Sequence, residues 1–326
     1  MKPVSAAELL AGGGSVEYLI DGLIPAGCLA IMAGESGIGK SWLALDLAVA
    51  VATGTPVWGR FPVKRPGPVL YVDEENPKDL VKERLTSLIG ARGLGGAKEL
   101  PISFLIRRRV RLDLPDRLEI LRQIVSDLSP CLIIFDSFPR LHELDDNSGQ
   151  DVTRLMHALD SLRDSDPARV FLTVHHFRKL SHINTLTQRL KGNPETLYAA
   201  DIYLACRRNG ADIIVDIPKL RHTKEPPSFS VCMEELNGIR FTATEGNARK
   251  VKADRAEEVK EFVLARVRDE SGISRPELVR LGWSEGYSEK DIDAARRKLE
   301  TEGKIEVPIG NPKRHYLKLT EYGQEG

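Results

Sequence analysis

The stretch CLAIMAGESGIGKSWLALDLAVAVAT, residues 28–53, decides the fold. It predicts a strand over CLAIMAG, then a short loop, then a helix over Lys40–Thr53. The loop GESGIGKS, Gly34–Ser41, fits the pattern G-x-x-x-x-G-K-[S/T]. Glycines at these positions permit a tight turn whose backbone N–H groups point inward, and the following helix adds the positive end of its dipole. The stretch therefore predicts a phosphate-binding loop between a strand and a helix.

The side chains of this loop predict that the phosphate belongs to a nucleoside triphosphate, ATP, bound with Mg²⁺. Lys40 supplies a positive charge to the outer phosphates, and the Ser41 hydroxyl is an oxygen ligand of the kind that Mg²⁺ prefers. The predicted binding residues are Gly34, Glu35, Ser36, Gly37, Ile38, Gly39, Lys40, Ser41 and Trp42. The alternative is a chance glycine-rich turn, which the flanking strand and helix disfavour.

The chain after this loop alternates apolar strands with amphipathic helices. The predicted strands are PVLYVD, ISFLI, CLIIFD and VFLTVHH, and the predicted helices are Lys78–Ala91, Pro115–Leu128 and Gln150–Ser165. This alternation is typical of an α/β fold with a mostly parallel sheet and helices on both faces. The later runs DIYLAC, DIIVDI, FSVCME and IRFTA are separated by tight turns, so they predict an antiparallel extension of the sheet. This first domain is predicted over residues 1–246.

The C-terminal part of the chain differs from the first domain in composition and in its predicted elements. TEGNARKVKAD is polar and charged, and we interpret residues 247–254 as a linker. The linker is followed by a predicted helix over Arg255–Asp269, the segment ISRPELVRLG, a predicted helix over Glu289–Gly303 and the short strands KIEVPI and HYLKL. Three helices with a two-stranded ribbon are the parts of a winged helix, which we predict over residues 255–326.

The composition argues against several classes of protein. The formal net charge is zero, so nucleic-acid binding would depend on local basic patches. The N-terminus lacks the pattern of a signal peptide, and the longest apolar stretch is too short to span a bilayer, so a cytoplasmic protein without membrane contact is expected. The four cysteines have no metal-ligand or redox spacing, which favours buried thiols.

Acidic residues at the ends of two strands are candidates for metal binding and for catalysis. Asp136 ends the strand LIIFD, where it would hold Mg²⁺ through water; capping of the next turn is the alternative. Asp73, Glu74 and Glu75 end the strand PVLYVD, and one of them is expected to orient and deprotonate the attacking water. The alternative is an acidic helix start favoured by the helix dipole.

The segment EYLIDGLIPAGCLAIMAGESGIGKS resembles the entry to the RecA-like ATPase core of the RepA/DnaB-type hexameric helicases, and the resemblance covers about residues 15–245. It implies Glu75, in Glu75-Asn76-Pro77, as the catalytic glutamate, with Glu74 as its rival. It also implies Asp136 as the acid on the Mg²⁺ side. In TVHH it implies His176, or alternatively His175, as the sensor of the γ-phosphate; a histidine buried for packing remains the other interpretation.

The same resemblance bears on assembly and function. DIPKLRHTKEPPSFSVCME resembles a strand–Lys-x-Arg–turn–strand element that reaches the nucleotide of a neighbouring subunit, which implies catalytic roles for Lys219 and Arg221 in a homohexamer. The expected function is a replicative DNA helicase of a plasmid, phage or mobile element. The alternatives are an ATP-switched regulatory or replication-initiation DNA-binding protein and, less favoured, a small-molecule kinase.

Several basic residues are candidates for nucleic-acid contacts. The segment between His176 and Glu195 is polar and basic, and in RecA-like rings the loop at this place faces the central channel, which implies contacts to single-stranded DNA by Arg178, Lys179, Arg189 and Lys191. A second cluster, Arg107–Arg109 with Arg111, is interpreted as a solvated surface by default. In the C-terminal domain Arg296, Arg297, Lys298, Lys313 and Arg314 are candidates for duplex contacts, with protein docking as the alternative.

Overall fold

The computed structural model describes residues 4–11, 16–94, 100–145, 148–163, 166–177, 199–221, 227–235, 237–245, 248–270, 272–284, 287, 289–306 and 316–319. The chain folds as two compact units, of which the first ends at Glu245. No helix within these ranges is both long enough and apolar enough to cross a membrane.

The first unit contains the helices α1 (Ala6–Ala11), α2 (Lys40–Thr53), α3 (Lys78–Ala91), α4 (Pro115–Leu128) and α5 (Gly149–Ser161). Its strands are β1 (Tyr18–Ile20), β2 (Ile24–Pro25), β3 (Leu29–Gly34), β4 (Val69–Asp73), β5 (Ile102–Ile106), β6 (Leu132–Asp136), β7 (Val170–His176), β8 (Ile202–Asn209), β9 (Asp212–Leu220), β10 (Phe229–Glu235) and β11 (Ile239–Glu245). Helices α2, α3 and α4 begin and end where the sequence predicts, and α5 ends earlier, at Ser161.

One nine-stranded sheet organises this unit, in the order β11-β10-β9-β8-β3-β7-β6-β4-β5. The six strands from β8 to β5 are parallel to their neighbours, whereas β9, β10 and β11 pair antiparallel. The predicted α/β class, with a parallel sheet and an antiparallel extension, is therefore confirmed. This strand order brings the C-terminal ends of β3, β4, β6 and β7 to one edge of the sheet.

Helices cover both faces of the sheet because its strands are apolar on both sides. Along β4, Val69 and Tyr71 pack in one core cluster with Leu43 and Leu47 of α2. The alternating residues Leu70 and Val72 pack in the other cluster. That second cluster also contains Leu118, Leu121 and Val125 of α4, and Leu155 and Leu159 of α5. Burial on both faces fixes the register of each strand, since a slip of one residue would exchange its two faces.

The second unit has its own core. It contains α6 (Ala248–Asp269), β12 (Ile273–Ser274), α7 (Arg275–Ser284), α8 (Glu289–Thr301), β13 (Ile305–Glu306) and β14 (Tyr316–Leu319). Val259, Val263, Leu278, Ile292 and Leu299 join the three helices in one apolar cluster. The described residues of this unit form three helices, as predicted; its assignment as a winged helix stays a prediction.

Two features of the second unit differ from the sequence expectation. The helix expected from Arg255 begins at Ala248, so most of the segment interpreted as a linker is helical. The reason is that ARKVKAD contains neither glycine nor proline, and charged residues alone do not interrupt a helix. The ribbon also has a third strand, because Ile273 and Ser274 pair with β14. Two residues are too few for a periodic sequence signal.

Candidate active site

The backbone of the phosphate loop depends on its glycines. Gly37 and Gly39 have φ angles of 80° and 99°, which residues with a Cβ rarely adopt, and Gly39 directly precedes α2. At Gly34 a Cβ would lie 2.5 Å from the backbone oxygen of Cys206 on the adjacent strand β8. The loop therefore turns tightly against the sheet and places the N-terminus of α2 at its C-terminal edge.

Lys40 directs its charge into this loop. Its side chain is buried, and its Nζ donates hydrogen bonds to the carbonyl oxygens of Gly34, at 3.0 Å, and Glu35, at 2.7 Å. Burial lowers the pKa of Lys40, while the nearby acidic groups of Cys206, Asp136 and Glu75 oppose that shift. The ammonium thus lies inside the concavity that the loop forms, as phosphate binding requires.

Asp136 and Ser41 lie together beside Lys40. Asp136 ends β6 and is buried, and its Oδ2 accepts a hydrogen bond of 2.9 Å from the Tyr71 hydroxyl. The Ser41 hydroxyl lies close enough to the same carboxylate to lower its pKa. Burial and the neighbouring Asp73 raise the pKa of Asp136 to about 6, and the bonds from Ser41 and Tyr71 counteract that rise. A hydroxyl and a carboxylate beside a phosphate loop are a donor set that suits Mg²⁺ with a nucleotide.

The three acids after β4 have three different environments, and Asp73 shapes the turn. It lies opposite Asp136 in the parallel register of β4 and β6. Its buried Oδ1 accepts the backbone N–H groups of Glu75, at 2.9 Å, and Asn76, at 2.7 Å. These bonds hold the turn that leads into α3, so the carboxylate of Asp73 is engaged by its own loop.

Glu74 is turned toward the loop after β5. Its carboxylate accepts the backbone N–H groups of Arg108, Arg109 and Val110, at 3.0, 3.1 and 2.9 Å. A carboxylate held by three donors is fixed in place, and both of its oxygens are engaged by those bonds. This arrangement disfavours Glu74 as a general base.

Glu75, unlike Glu74, has its carboxylate near the phosphate loop. Its Oε2 lies 3.9 Å from Nε2 of His176, and its side chain is 39% exposed. It is also close enough to Lys40 and Asp136 to influence the pKa of each. Of the three acids after β4, Glu75 therefore combines proximity to the phosphate loop with access to solvent water.

The two adjacent histidines at the end of β7 differ in environment. In the parallel register of β3 and β7, His176 lies opposite Gly34, the first residue of the phosphate loop. His176 is partly exposed and faces Glu75. His175 is buried, and its ring lies 5.0 Å from that of Phe138. Burial, with smaller contributions from His142, His176 and Lys40, lowers the pKa of His175 to about 3. The geometry thus favours His176 as the sensor and His175 as a packing residue.

The burial of His175 predicts a pH dependence of stability. The folded protein keeps this imidazole neutral down to about pH 3, whereas the unfolded chain protonates it below its ordinary value of 6.5. Stability is therefore lost as the pH falls, and His175 alone should cost about 2 kcal/mol between pH 7 and pH 5. Denaturant unfolding at both pH values should show a smaller loss for His175→Phe than for wild type. The exposed His157→Gln variant should retain the wild-type loss; an equal loss in all three proteins would contradict the assignment.

Comparison with known proteins places this geometry in a family. A sequence profile of the AAA domain family matches residues 1–182, more than half of the chain. The chain belongs to the AAA domain family. Among solved structures it is similar to the KaiC-like protein PH0186 from the hyperthermophilic archaeon Pyrococcus horikoshii OT3, with 17% sequence identity and a TM-score of 0.46. That match covers 68% of this chain and 93% of the other.

This AAA domain protein is accordingly a nucleotide-dependent ATPase with a P-loop. Three residues near its site were not indicated by the sequence. Tyr71 binds Asp136, Asn76 donates two side-chain bonds to Asp73, and Arg107 donates to the backbone oxygen of Glu75 at 2.7 Å. Only Tyr71 carried a usable signal, since its polar hydroxyl interrupts an apolar strand that ends at the site.

Arg221 lies at the other edge of the sheet, and Lys219 precedes it on β9. The backbone N–H of Asp201, just before β8, donates to the backbone oxygen of Leu29 at the start of β3. Arg221 Nη1 forms an ion pair with the Asp201 carboxylate at 3.2 Å. Lys219 pairs with Tyr203 in the ladder of β8 and β9. Burial lowers the pKa of Lys219, and the nearby charge of Arg221 lowers it further. The phosphate loop begins at Gly34, five residues along β3, or about 16 Å away. Arg221 is thus remote from the phosphate loop of its own subunit. Lys219 is in register with Ile31 through Tyr203, so it lies three residues along β3 from Gly34, about 10 Å, and two strands to the side.

The remaining candidate residues have mixed outcomes. Trp42 is partly buried, with its ring 6.4 Å from Phe241 and the Arg84 guanidinium 5.5 Å from its centroid. Arg178, Lys179, Arg189, Lys191, Lys313 and Arg314 lie outside the described residues. Arg111 is paired with Asp113 and Glu143, and Arg296 with Asp293 and Glu300. Arg297 and Lys298 are exposed on α8, so they remain candidates for phosphate contacts.

Proposed function

We propose that this protein is a ring-forming, Mg²⁺-dependent ATPase that acts on nucleic acid, and that it works as a replicative DNA helicase. The observation that carries the proposal is the position of Arg221, which lies beside the start of β3, about 16 Å along the strand from the phosphate loop at its other end. The ATP site is completed only when one edge of a subunit meets the opposite edge of the next.

The chemistry of the site follows from its own residues. The loop Gly34–Ser41 binds the phosphates, Lys40 neutralises their charge, and Ser41 with Asp136 holds Mg²⁺. The metal supplies charge stabilisation to the transferring phosphoryl group when it is bound. Glu75 orients and deprotonates the attacking water, and His176, 3.9 Å from Glu75, senses the change at the phosphates.

The contribution of the neighbouring subunit follows from the position of the two cations. An arginine side chain is much shorter than the length of β3, so Arg221 cannot reach the phosphate loop of its own chain. A contact between two different faces of identical subunits is heterologous, and it closes into a ring when the rotation permits. Lys219 and Arg221 of one subunit then stabilise the transition state in the next. The resemblance to hexameric helicases favours six subunits.

Nucleic acid is the proposed substrate of this motor. The RepA/DnaB-type resemblance supports it, and Arg178, Lys179, Arg189 and Lys191 are the proposed contacts to single-stranded DNA. Phosphate contacts of this kind carry no sequence information, which suits a motor that moves along a strand.

A second candidate function is an ATP-switched DNA-binding protein that finds a duplex site without separating strands. The observation that favours it is the C-terminal unit, which has its own core and exposes Arg297 and Lys298 on α8. Many acidic residues in the same unit weaken this alternative, and Arg296 is already held by Asp293 and Glu300.

An unwinding assay on forked DNA separates the two functions. Wild type should unwind the fork, and single-stranded DNA should accelerate its ATP turnover. Lys40→Ala should fail in both because it no longer holds the phosphates, whereas the exposed Lys82→Ala on α3 should behave as wild type. A protein that stays monomeric with ATP and DNA, with turnover unchanged by DNA, would contradict the motor. Site-specific duplex binding without unwinding would support the alternative.

A further inference from the structure

The hydrogen bonds of Glu74 form an unusual connection beside the candidate active site. Its two carboxylate oxygens accept three successive backbone N–H groups of the arginine loop, which we define as Arg107–Val110. Arg108 and Val110 donate to Oε1, and Arg109 donates to Oε2. A surface turn rarely directs three consecutive donors at one group without a specific backbone conformation.

That conformation is present in the arginine loop. Arg107 and Arg109 have φ angles of 50° and 56°, in the left-handed region that non-glycine residues seldom occupy. Left-handed residues that alternate with ordinary ones turn successive N–H groups to the same side and create an anion-binding concavity. In this protein the bound anion is the carboxylate of Glu74, from the adjacent strand end.

The loop is tied back to Glu75 by its first residue. The Arg107 guanidinium donates to the backbone oxygen of Glu75 at 2.7 Å, and the Arg107 N–H donates to the backbone oxygen of Asp73 at 2.8 Å. The backbone N–H of Glu74 in turn donates to the backbone oxygen of Asp136 at 3.0 Å. Hydrogen bonds of Glu74 thus connect the ends of β4, β5 and β6. The backbone of Glu75 belongs to the same network through its bond from Arg107.

We propose that Glu74 is a positioning residue: by holding the arginine loop, it fixes Arg107 against the backbone of Glu75 and so sets where the Glu75 carboxylate stands. This inference rests on the proposed role of Glu75 in ATP hydrolysis. The carboxylate of Glu74 is engaged by the arginine loop, so Glu74 acts on the reacting groups indirectly. Its effect passes through Arg107, and a misplacement of about 1 Å at a reacting group costs on the order of 10²-fold in rate.

The change Glu74→Gln tests the proposal with a minimal change of shape. The amide places an NH₂ group where one carboxylate oxygen accepts a hydrogen bond, so two donors face each other in the arginine loop. We expect kcat for ATP hydrolysis by the full-length protein to fall about 10- to 100-fold, with an unchanged KM for ATP and an unchanged melting temperature. The matched control is Glu83→Gln on the exposed face of α3, which should retain wild-type kinetics.

A second variant keeps the proposal falsifiable. Arg107→Met removes the bond to Glu75 and should lower kcat to a similar extent, while Arg117→Met on the exposed face of α4 should not. Because both residues act through one link, the double variant Glu74→Gln/Arg107→Met should be no slower than the slower single variant.

The kinetics of Glu74→Gln and Glu75→Gln together separate a failure of the positioning role from a failure of the proposed catalytic role. Wild-type kcat in Glu74→Gln, combined with an inactive Glu75→Gln, would overturn the positioning role and leave the role of Glu75 intact. A rise in the KM for ATP, or a lower melting temperature without a change in kcat, would also overturn it, because either result indicates a purely structural residue. Wild-type kcat in Glu75→Gln would overturn the proposed role of Glu75 itself.

Discussion

Glu75→Gln is expected to lower kcat for ATP hydrolysis by about 10²- to 10⁴-fold, the usual contribution of a positioned general base. The amide has nearly the same shape as the carboxylate but cannot accept a proton. The binding of ATP should be retained, because the groups that cradle phosphate are the backbone of Gly34–Ser41 and the side chain of Lys40. Steady-state turnover together with equilibrium titration of a fluorescent ATP analogue measures both properties.

The structure supplies a sharp comparison for this variant. Glu74 is adjacent in sequence, yet its carboxylate is bound by the arginine loop, whereas the Glu75 carboxylate lies 3.9 Å from His176. Glu83→Gln, on the exposed face of α3, controls for the loss of one negative charge. Turnover within a factor of about two of wild type would contradict the assignment, because a general base contributes far more than that.

Arg221→Ala is expected to produce the largest loss, about 10³- to 10⁵-fold in kcat, the range observed when a catalytic arginine supplied to a phosphoryl group is removed. The affinity for ATP should change little, because Arg221 lies at the edge of the sheet opposite the phosphate loop. The same turnover and titration measurements apply, carried out at a protein concentration where the ring forms.

The ion pair of Arg221 with Asp201 requires its own control. Asp201 also accepts the backbone N–H of Leu29 at 2.9 Å, so the loss of Arg221 leaves that carboxylate bound but unpaired. A melting temperature within a few degrees of wild type would indicate that the fold is intact, as expected for a partly exposed pair. Arg154→Ala, whose ion pair on α5 is more exposed, should retain wild-type turnover. Full turnover by Arg221→Ala would contradict the shared site.

Much of the fold follows from local sequence signals. The strand VFLTVHH and the helices Lys40–Thr53 and Lys78–Ala91 have the predicted bounds, because apolar periodicity and the flanking Gly and Pro residues agree at their ends. The helix beginning at Ala248 and the strand Ile273–Ser274 were missed. In the first, helix propensity prevails over a polar composition; in the second, pairing with a distant strand defines two residues that have no periodicity of their own.

The residues of the site were predictable where a sequence motif fixes the backbone. They were less predictable where contacts with distant residues decide which of two neighbouring side chains faces the site. Gly34–Ser41 and Asp136 lie together, as the spacing and the ends of the strands indicate. The sequence could not separate Glu74 from Glu75, since the distinction comes from backbone donors more than thirty residues away. Nor could it separate His175 from His176, because the alternation of a strand places one side chain inward without saying which.

Mixing two inactive variants tests the shared ATP site most directly. Glu75→Gln keeps Arg221, and Arg221→Ala keeps Glu75, so a mixed ring contains some interfaces at which both wild-type groups meet. With random assembly at equal amounts, about a quarter of the heterologous interfaces are intact, and ATP turnover should recover toward that fraction of wild type. Turnover that stays at the level of the separate variants, in mixtures shown to co-assemble, would contradict a site completed by the neighbouring subunit.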